Sequence, residues 1–301
     1  MTAQDETKLS ENGNNPAVEV RTGESLRRRS SLPILIMAVL FVTATFLTWY
    51  FTWFGRELSD TDVSKYLSDE KHPRHVQHAL LQIQQRLERQ DPTARQWYPR
   101  ILELAANPEA EFRLTAAWAM GFDNKADEFH QTLLKLLRDN EPLVRRNAAL
   151  ALVRFNDPSG RNELVLTLRP YPVTAPVDGV VGSTLKEGSP VSRGTLLARI
   201  DRLDNAVVEV RSPLPGRINR ISIANGTTVH SGDTILTIDS DSGSVWEALR
   251  GLALIGQAQD LPEVERYAHG VDSLPDQIKE QAALTAKAIH SREPQTDLKR
   301  P

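Results

Sequence analysis

The longest apolar stretch of the chain lies close to its N-terminus. Between Ser30 and Gly55 the sequence contains no charged residue, and residues 34–54 match the ~20 residues that a helix needs to cross ~30 Å of hydrocarbon. Aromatic residues crowd the far end of this run, as in an interfacial belt: Trp49, Tyr50, Trp53 and Phe54. The pattern predicts one transmembrane helix over residues 32–55, with the lipid bilayer as its partner.

From residue 61 to residue 155 the apolar positions follow the period of an α-helix. Val76, Ala79, Leu80 and Ile83 recur at spacings of three and four, so they share one face. Asp-Pro at positions 91 and 92 ends this helix. Further helices of the same kind are predicted at 97–105, 112–120, 129–137 and 144–152.

Two of these helices repeat each other. Residues 112–120 (FRLTAAWAM) align with residues 144–152 (VRRNAALAL), and the second pattern returns at residues 278–284 (IKEQAAL). Self-similarity at a fixed interval along the chain is typical of a solenoid. Small alanines let paired helices approach closely. The segments resemble HEAT repeats, and this resemblance implies an α-α solenoid that offers a binding surface rather than chemistry.

Residues 162–168 permit two interpretations. Leu164, Leu166 and Leu168 alternate as in a strand, but the segment also fits the first helix of a repeat. We favour the helix, because the helix predicted to begin at Val245 otherwise lacks a partner.

Between these helical blocks the composition changes to Val, Ile, Thr, Pro and Gly, in short alternating runs separated by glycine turns. This stretch contains an internal duplication. Residues 173–179 match residues 210–216, and residues 197–201 match residues 235–239. The sequence therefore predicts two similar sets of strands, joined by a short hairpin.

Two such halves resemble the barrel-sandwich hybrid of biotinyl and lipoyl carrier domains and of bacterial membrane fusion proteins. In lipoyl carriers the modified lysine lies on the hairpin between the halves, and here Asn205 occupies that position. An amide cannot be acylated there, and Lys186 lies away from the tip, so no carrier chemistry is expected. The halves are also not separated by the long helical hairpin of membrane fusion proteins, which argues against docking to an outer-membrane channel.

Together these patterns predict a multidomain α+β protein in which an all-β barrel-sandwich hybrid is inserted in an α-α HEAT-like solenoid behind one transmembrane helix. The predicted boundaries are a disordered cytoplasmic tail at 1–31, the transmembrane helix at 32–55, HEAT-like repeats at 56–170, the lipoyl-like domain at 171–240, HEAT-like repeats at 241–292 and a disordered tail at 293–301.

Charge near the apolar run predicts its orientation. Arg21, Arg27, Arg28 and Arg29 precede the run, whereas acidic residues dilute the cations after it. The positive-inside bias therefore predicts a single-pass protein of the cytoplasmic (inner) membrane, with the N-terminus in the cytoplasm and the C-terminal domains periplasmic or otherwise extracytoplasmic.

Composition excludes several classes of function. The net charge of −3 gives no basic field for nucleic acid. The absence of cysteine removes disulfides, thiolate catalysis and cysteine metal sites. No phosphate-binding glycine motif of the P-loop or dinucleotide type is present.

Histidines are the remaining candidates for chemistry. His72, His75 and His78 have three-residue spacing, and histidine is a common metal ligand. Pro73 starts the helix and leaves His72 outside it, and structural sites use four converging ligands, so we predict no metal site. None of the 7 histidines precedes a glutamate, which argues against HEAT-like iron hydroxylases.

Other polar and aromatic residues receive structural interpretations. Asp201 and Asp239 end equivalent strands and are interpreted as turn residues rather than a catalytic pair, whereas Trp118 and Trp246 are interpreted as core packing. We predict no catalytic residue and no cofactor.

The expected function is that of a membrane-anchored, non-enzymatic adaptor or scaffold with protein partners outside the cytoplasm, an inner-membrane transporter or membrane complex being a candidate. Exposed repeat positions such as Arg146 and Glu280 are expected to contribute to binding. The alternative in the same class is a divergent periplasmic membrane fusion subunit of an efflux or secretion transporter. The alternative of another class, a group carrier or metal-dependent enzyme, is disfavoured by Asn205.

Overall fold

The computed structural model describes residues 32–53, 57–182, 185–271 and 274–292. The two tails predicted to be disordered, 1–31 and 293–301, lie outside the described residues. The chain divides into one unit that ends at residue 56 and a second that comprises residues 57–301. The first unit contains helix α1 (Leu32–Trp53), in which the Thr45 and Thr48 hydroxyls donate to the carbonyls one turn earlier at 2.8 Å.

The predicted membrane span requires correction. In the described part of the chain, no helix is both long enough and apolar enough to cross a membrane. This finding contradicts the transmembrane helix at 32–55 and the single-pass, inner-membrane location with periplasmic C-terminal domains.

The helical part of the second unit consists of helices that pack in consecutive pairs. In the residues described, these helices are α2 (Asp60–Leu67), α3 (Pro73–Glu88), α4 (Tyr98–Ala105), α5 (Ala110–Met120), α6 (Asp127–Leu136), α7 (Pro142–Arg154), α8 (Arg161–Thr167), α9 (Ser242–Ile255), α10 (Leu261–Ala268) and α11 (Asp276–Arg292). Each even-numbered helix from α2 to α10 packs on the next odd-numbered one, and α3, α5, α7, α9 and α11 pack side by side as one layer. Residues 162–167 thus belong to a helix, as favoured from the sequence, and Leu168 is its C-cap.

Equivalent arginines bind the turns that precede two successive repeat helices. The Arg113 guanidinium donates to the carbonyls of Asn107 (2.9 Å) and Pro108 (2.7 Å) in the turn before α5. Arg145 donates in the same way to the carbonyls of Asp139 (2.8 Å) and Asn140 (3.1 Å) before α7. These carbonyls lie beyond helix ends. Arg113 and Arg145, each the fourth residue of its helix, therefore stabilise the turn that precedes that helix.

The β region forms two four-stranded antiparallel sheets in the described residues. Its strands are β1 (Tyr171–Thr174), β2 (Gly179–Gly182), β3 (Pro190–Val191), β4 (Leu196–Asp201), β5 (Val207–Arg211), β6 (Gly216–Ile221), β7 (Thr228–Val229) and β8 (Thr234–Ser240). The strand orders are β1-β8-β6-β3 and β5-β4-β2-β7, and buried aliphatic side chains from both sheets form one core. Because no ladder among the described strands joins the two sheets, the region is sandwich-like, and the closed barrel implied by the predicted fold class is not formed.

The duplicated halves interlock through equivalent backbone bonds. Gly188 in the first half donates to the Ile218 carbonyl (2.7 Å), and Gly226 in the second half donates to the Val181 carbonyl (2.8 Å). Both glycines have positive φ, 82° and 79°, a conformation that favours glycine. Each half therefore depends on a turn from the other.

The β region lies between the two helices of one repeat. Helix α8 precedes it, α9 follows it, and these two helices pack on each other. Ala149 of α7 shares a buried cluster with residues of α8 through α11. The helices before and after the β region therefore form one continuous stack.

Candidate interaction surface

Helix α9 carries an exposed stripe of binding-type residues. Trp246, Arg250 and Leu254 are spaced by four and so occupy one helix face. Trp246 is 38% and Leu254 65% exposed, and the Arg250 guanidinium lies 4.6 Å from the centroid of the Trp246 ring. We call these three residues the α9 stripe.

Packing of the opposite helix face positions the stripe. Val245, Leu249 and Leu252 are buried against the neighbouring helices. Asp241 caps the helix, since its carboxylate accepts from the Ser244 backbone N–H (3.1 Å) and hydroxyl (2.7 Å). The apolar face is thus fixed inward and the stripe faces outward, so the expectation that Trp246 is a core residue is wrong.

The neighbouring helix α11 is held firmly beside α9. The buried Thr285 hydroxyl donates to the Leu249 carbonyl at 2.9 Å, and the Arg292 guanidinium donates to the carbonyls of Ala253 (2.6 Å) and Gly256 (2.9 Å). The predicted contact residue Glu280 is exposed on α11. Tryptophan and arginine are enriched at the energetic centres of protein interfaces, so a rigidly supported stripe of this composition is suited to binding a protein.

The second predicted contact residue, Arg146, does not lie on the surface. Its side chain is buried in α7, and its Nη1 has no hydrogen-bond partner in the described structure. Burial lowers the pKa of Arg146, opposed by the nearby charges of Glu163 and Asp241. Arg146 is the fifth residue of α7, and its side chain lies near Glu163 of α8 and near Asp241, which caps α9.

The structure places Asn205 at the tip of the β4–β5 hairpin. Asn205 has a φ of 60°, and its N–H donates to the Arg202 carbonyl at 3.1 Å. Asparagine tolerates this left-handed conformation better than most residues. Leu203 beside it is fully exposed. Lys186 lies in the turn between β2 and β3, away from the hairpin.

Asp201 and Asp239 occupy equivalent positions in different sheets. Asp201 pairs with Val180 at the end of β4, and Asp239 pairs with Arg217 near the end of β8. The carboxylate of Asp239 accepts from the Asn219 amide at 2.7 Å. The two aspartates therefore lie in separate strand pairs, β2–β4 and β6–β8.

The structure brings two of the three candidate histidines, His72 and His75, together with Asp69. This acidic residue was not identified from the sequence. The Nδ1 atoms of His72 and His75 lie 2.9 and 2.8 Å from the carboxylate oxygens of Asp69. Hydrogen bonds from His72 and then His75 lower the pKa of Asp69. The spacing Asp-x-x-His-x-x-His was present in the sequence as a signal. His78 stays apart, with a buried Nε2 that has no partner among the described residues.

Comparison with known proteins agrees with this architecture. A family model for HEAT repeats matches residues 98–170, and a model described as RND MFP, barrel-sandwich hybrid domain, matches residues 172–239. No curated protein matches the chain. These matches confirm the combination expected from the sequence, a HEAT-repeat segment joined to a barrel-sandwich hybrid of the membrane fusion protein type, and they indicate a role in protein–protein interaction.

Proposed function

We propose that this chain is a non-enzymatic adaptor that binds a protein partner through the α9 stripe. The observation that carries the proposal is the exposed Trp246–Arg250 pair, which continues to Leu254 on the helix that leaves the β region directly. Exposed apolar side chains grouped with tryptophan and arginine are typical of interface centres. Asn205 in place of an acceptor lysine supports a role without carrier chemistry.

The position of the stripe supports a role that joins two modules. Helix α9 begins one residue after the capping Asp241, and β8 ends at Ser240. Helix α9 also packs on α8, which precedes the β region. A partner on the stripe is thereby held at a fixed distance from the β sheets, which is what an adaptor requires.

Site-specific photocrosslinking tests this proposal. A photoreactive phenylalanine at position 246 in the full chain should yield a discrete crosslinked protein in the native cell, identified by mass spectrometry. Trp246→Ala and Leu254→Ala should then weaken binding of the purified partner by more than ~10-fold, because interface centres each contribute ~2 kcal/mol or more. Lys135→Ala, exposed on α6, is the matched control and should bind normally. Equal affinity of all variants would contradict the proposal.

A second candidate is a subunit that works beside a transporter. It is favoured by the match of residues 172–239 to the RND MFP barrel-sandwich hybrid domain and by the fully exposed Leu203 at the hairpin tip. The same crosslinker at position 203 tests it. Capture of a transport protein from position 203 supports this candidate, whereas capture from position 246 alone supports the general adaptor.

A further inference from the structure

A compact group of metal-ligating side chains lies at the start of the solenoid. Asp69 lies in the loop after α2, His72 is the residue before α3, and His75 is in the first turn of α3. One ligand atom from each side chain lies within 4.8 Å of the others. Pro73 at the first helical position fixes the backbone between the two histidines.

We propose that Asp69, His72 and His75 form a binding site for a divalent late transition-metal ion, with Zn²⁺ as the best match. Two imidazole nitrogens and one carboxylate oxygen are ligands that Zn²⁺ prefers, and three protein ligands leave a coordination position for water or for a partner's side chain.

The distances fit this ion with a small adjustment. Zn–N and Zn–O bonds of about 2.0–2.1 Å place tetrahedral ligand atoms roughly 3.3 Å apart. Both Nδ1 atoms already lie 2.8–2.9 Å from the Asp69 carboxylate. An ion that replaces the bridging protons therefore needs each imidazole nitrogen to move about half an ångström away from the carboxylate. It also needs the two imidazole nitrogens to lie roughly 3.3 Å apart, and the ligand atoms are already within 4.8 Å of one another.

The rings are also held in orientation. The Tyr66 ring stacks on His75 with centroids 4.4 Å apart and an interplanar angle of 16°, and the centroids of His72 and His75 lie 5.2 Å apart. The three side chains remain partly accessible, at 65% for His72, 43% for His75 and 30% for Asp69. The site is therefore pre-oriented and open to an ion from solution, and binding would tie the α2–α3 loop to α3.

Direct metal titration tests the site. Full-length protein without a histidine tag, freed of metal with a chelator, is titrated with Zn²⁺ in competition with a chromophoric chelator, and with Co²⁺ while visible absorption is recorded. We expect a single site and a higher unfolding temperature with Zn²⁺, because the ion binds the folded loop preferentially. His72→Ala and Asp69→Asn should each weaken binding by more than the roughly 10–100-fold cost of losing an outer-sphere partner.

The control uses a histidine–aspartate pair for which the described residues supply no third ligand. His230 Nδ1 lies 3.7 Å from an Asp233 carboxylate oxygen, and His230→Ala should bind Zn²⁺ as the unchanged protein does. His72 is the most exposed of the three ligands, so its variant keeps the test valid if Asp69→Asn disturbs the loop. The proposal is overturned if the unchanged protein binds Zn²⁺ no more tightly than His72→Ala, or if His230→Ala causes an equal loss.

Discussion

The Tyr267 hydroxyl donates a hydrogen bond to the Leu168 carbonyl at 2.9 Å, although the two residues are 99 positions apart. Leu168 ends the helix before the β region, and Tyr267 lies on the second helix after it. The Arg266 guanidinium donates to the same carbonyl. The C-terminal helices thus donate hydrogen bonds to the carbonyl at the end of a helix that precedes the β region. The β region therefore interrupts the sequence of the solenoid without interrupting its packing.

Removal of the β region should therefore leave a folded helical protein. We expect a variant that lacks residues 172–240, joined by a short flexible linker, to keep its helical circular dichroism and a cooperative thermal transition. The reason is that α8 and α9 retain their mutual packing and the bonds to Leu168. Loss of the cooperative transition would mean that the sheets hold the helices together.

Removal of the C-terminal helices should have the opposite effect. Truncation before Ser244 exposes Ala149, Leu164 and Leu168, which are buried with the C-terminal helices. A repeat cannot bury its apolar face alone, so the remaining helices should melt at a lower temperature. An unchanged melting temperature for this truncation would show that the two helical blocks are independent.

The ion pair between Arg161 and Asp260 should stabilise the contact between the helices before and after the β region. The Asp260 side chain is only 4% exposed and also accepts from the Gln257 N–H at 2.8 Å. Arg161→Ala leaves this carboxylate buried without its cation, so chemical denaturation should show a loss of ~3–5 kcal/mol.

Arg169→Ala provides the comparison for that measurement. Arg169 pairs with Glu263 at 2.7 Å, but these side chains are 52% and 22% exposed. Water screens such a pair, so the expected loss is ~1 kcal/mol or less. Equal losses of stability for Arg161→Ala and Arg169→Ala would contradict the greater importance of the buried pair.

Periodicity and duplication predicted most of the architecture from the sequence. The spacing of Val76, Ala79 and Ile83 identified the face that α3 buries, because helix periodicity is local. The alignment of Gly179 with Gly216 identified the two β halves, because both glycines face a carbonyl of a partner strand and the close approach excludes a side chain.

The remaining features depend on contacts that periodicity does not encode. Arg146 and Arg145 are adjacent in the sequence, yet the first is buried and the second reaches the turn before α7. Trp246 is apolar and lies on a repeat helix, but α9 buries Leu249 and Leu252 instead. Asp69 joins the histidines because the α2–α3 loop folds back on α3, and loop geometry is not visible in an apolar pattern.

Gly216 should tolerate no side chain. A Cβ there would lie 2.0 Å from the Asp239 carbonyl oxygen and 2.9 Å from an Ile238 methyl group. Because backbone blocks this position, Gly216→Ala should destabilise the protein by ~2 kcal/mol or more in denaturant unfolding. Gly182→Ala is the control, since its nearest neighbour would lie 3.9 Å away, and its effect should be within ~0.5 kcal/mol. A mild effect of Gly216→Ala would contradict the close approach of β6 and β8.

Asp139 should make stability depend on acid pH. Burial raises the pKa of this carboxyl, but hydrogen bonds from Arg113 (2.7 Å) and from the Glu141 N–H (2.9 Å) outweigh it and hold the pKa below its usual range. A lowered native pKa stabilises the fold above the unfolded pKa, and this contribution disappears as pH falls through the native value.

Asp139→Asn tests this dependence. At pH 7 it should cost about 1.5–3 kcal/mol, the range for hydrogen bonds to charged groups. The difference from the unchanged protein should shrink steadily below about pH 4, near the unfolded pKa of an aspartate. Denaturant unfolding at several pH values measures it, and a difference that stays constant from pH 7 to pH 3 would contradict the role of the charged carboxylate.

Two arginines on equivalent helices should lose very different amounts of stability on the same substitution. Arg113 donates to the Asp139 carboxylate and to the carbonyls of Asn107 and Pro108. Arg113→Met leaves the Asp139 side chain, only 8% exposed, without its cation, and should cost ~3–5 kcal/mol. Arg146 is also buried, but its Nη1 has no hydrogen-bond partner in the described structure, so its charge is poorly compensated.

Arg146→Met keeps most of the buried side-chain volume and removes a charge that Glu163 and Asp241 offset only in part. Replacement of a buried charge by an apolar side chain of similar length is often neutral or stabilising, so the free energy of unfolding should fall by no more than ~1 kcal/mol or should rise. Arg146→Ala separates packing from charge, because it leaves a cavity and should be clearly less stable than Arg146→Met. If Arg146→Met were as damaging as Arg113→Met, the Arg146 guanidinium would be a satisfied structural link between α7, Glu163 and Asp241, and the difference between the two arginines would not exist.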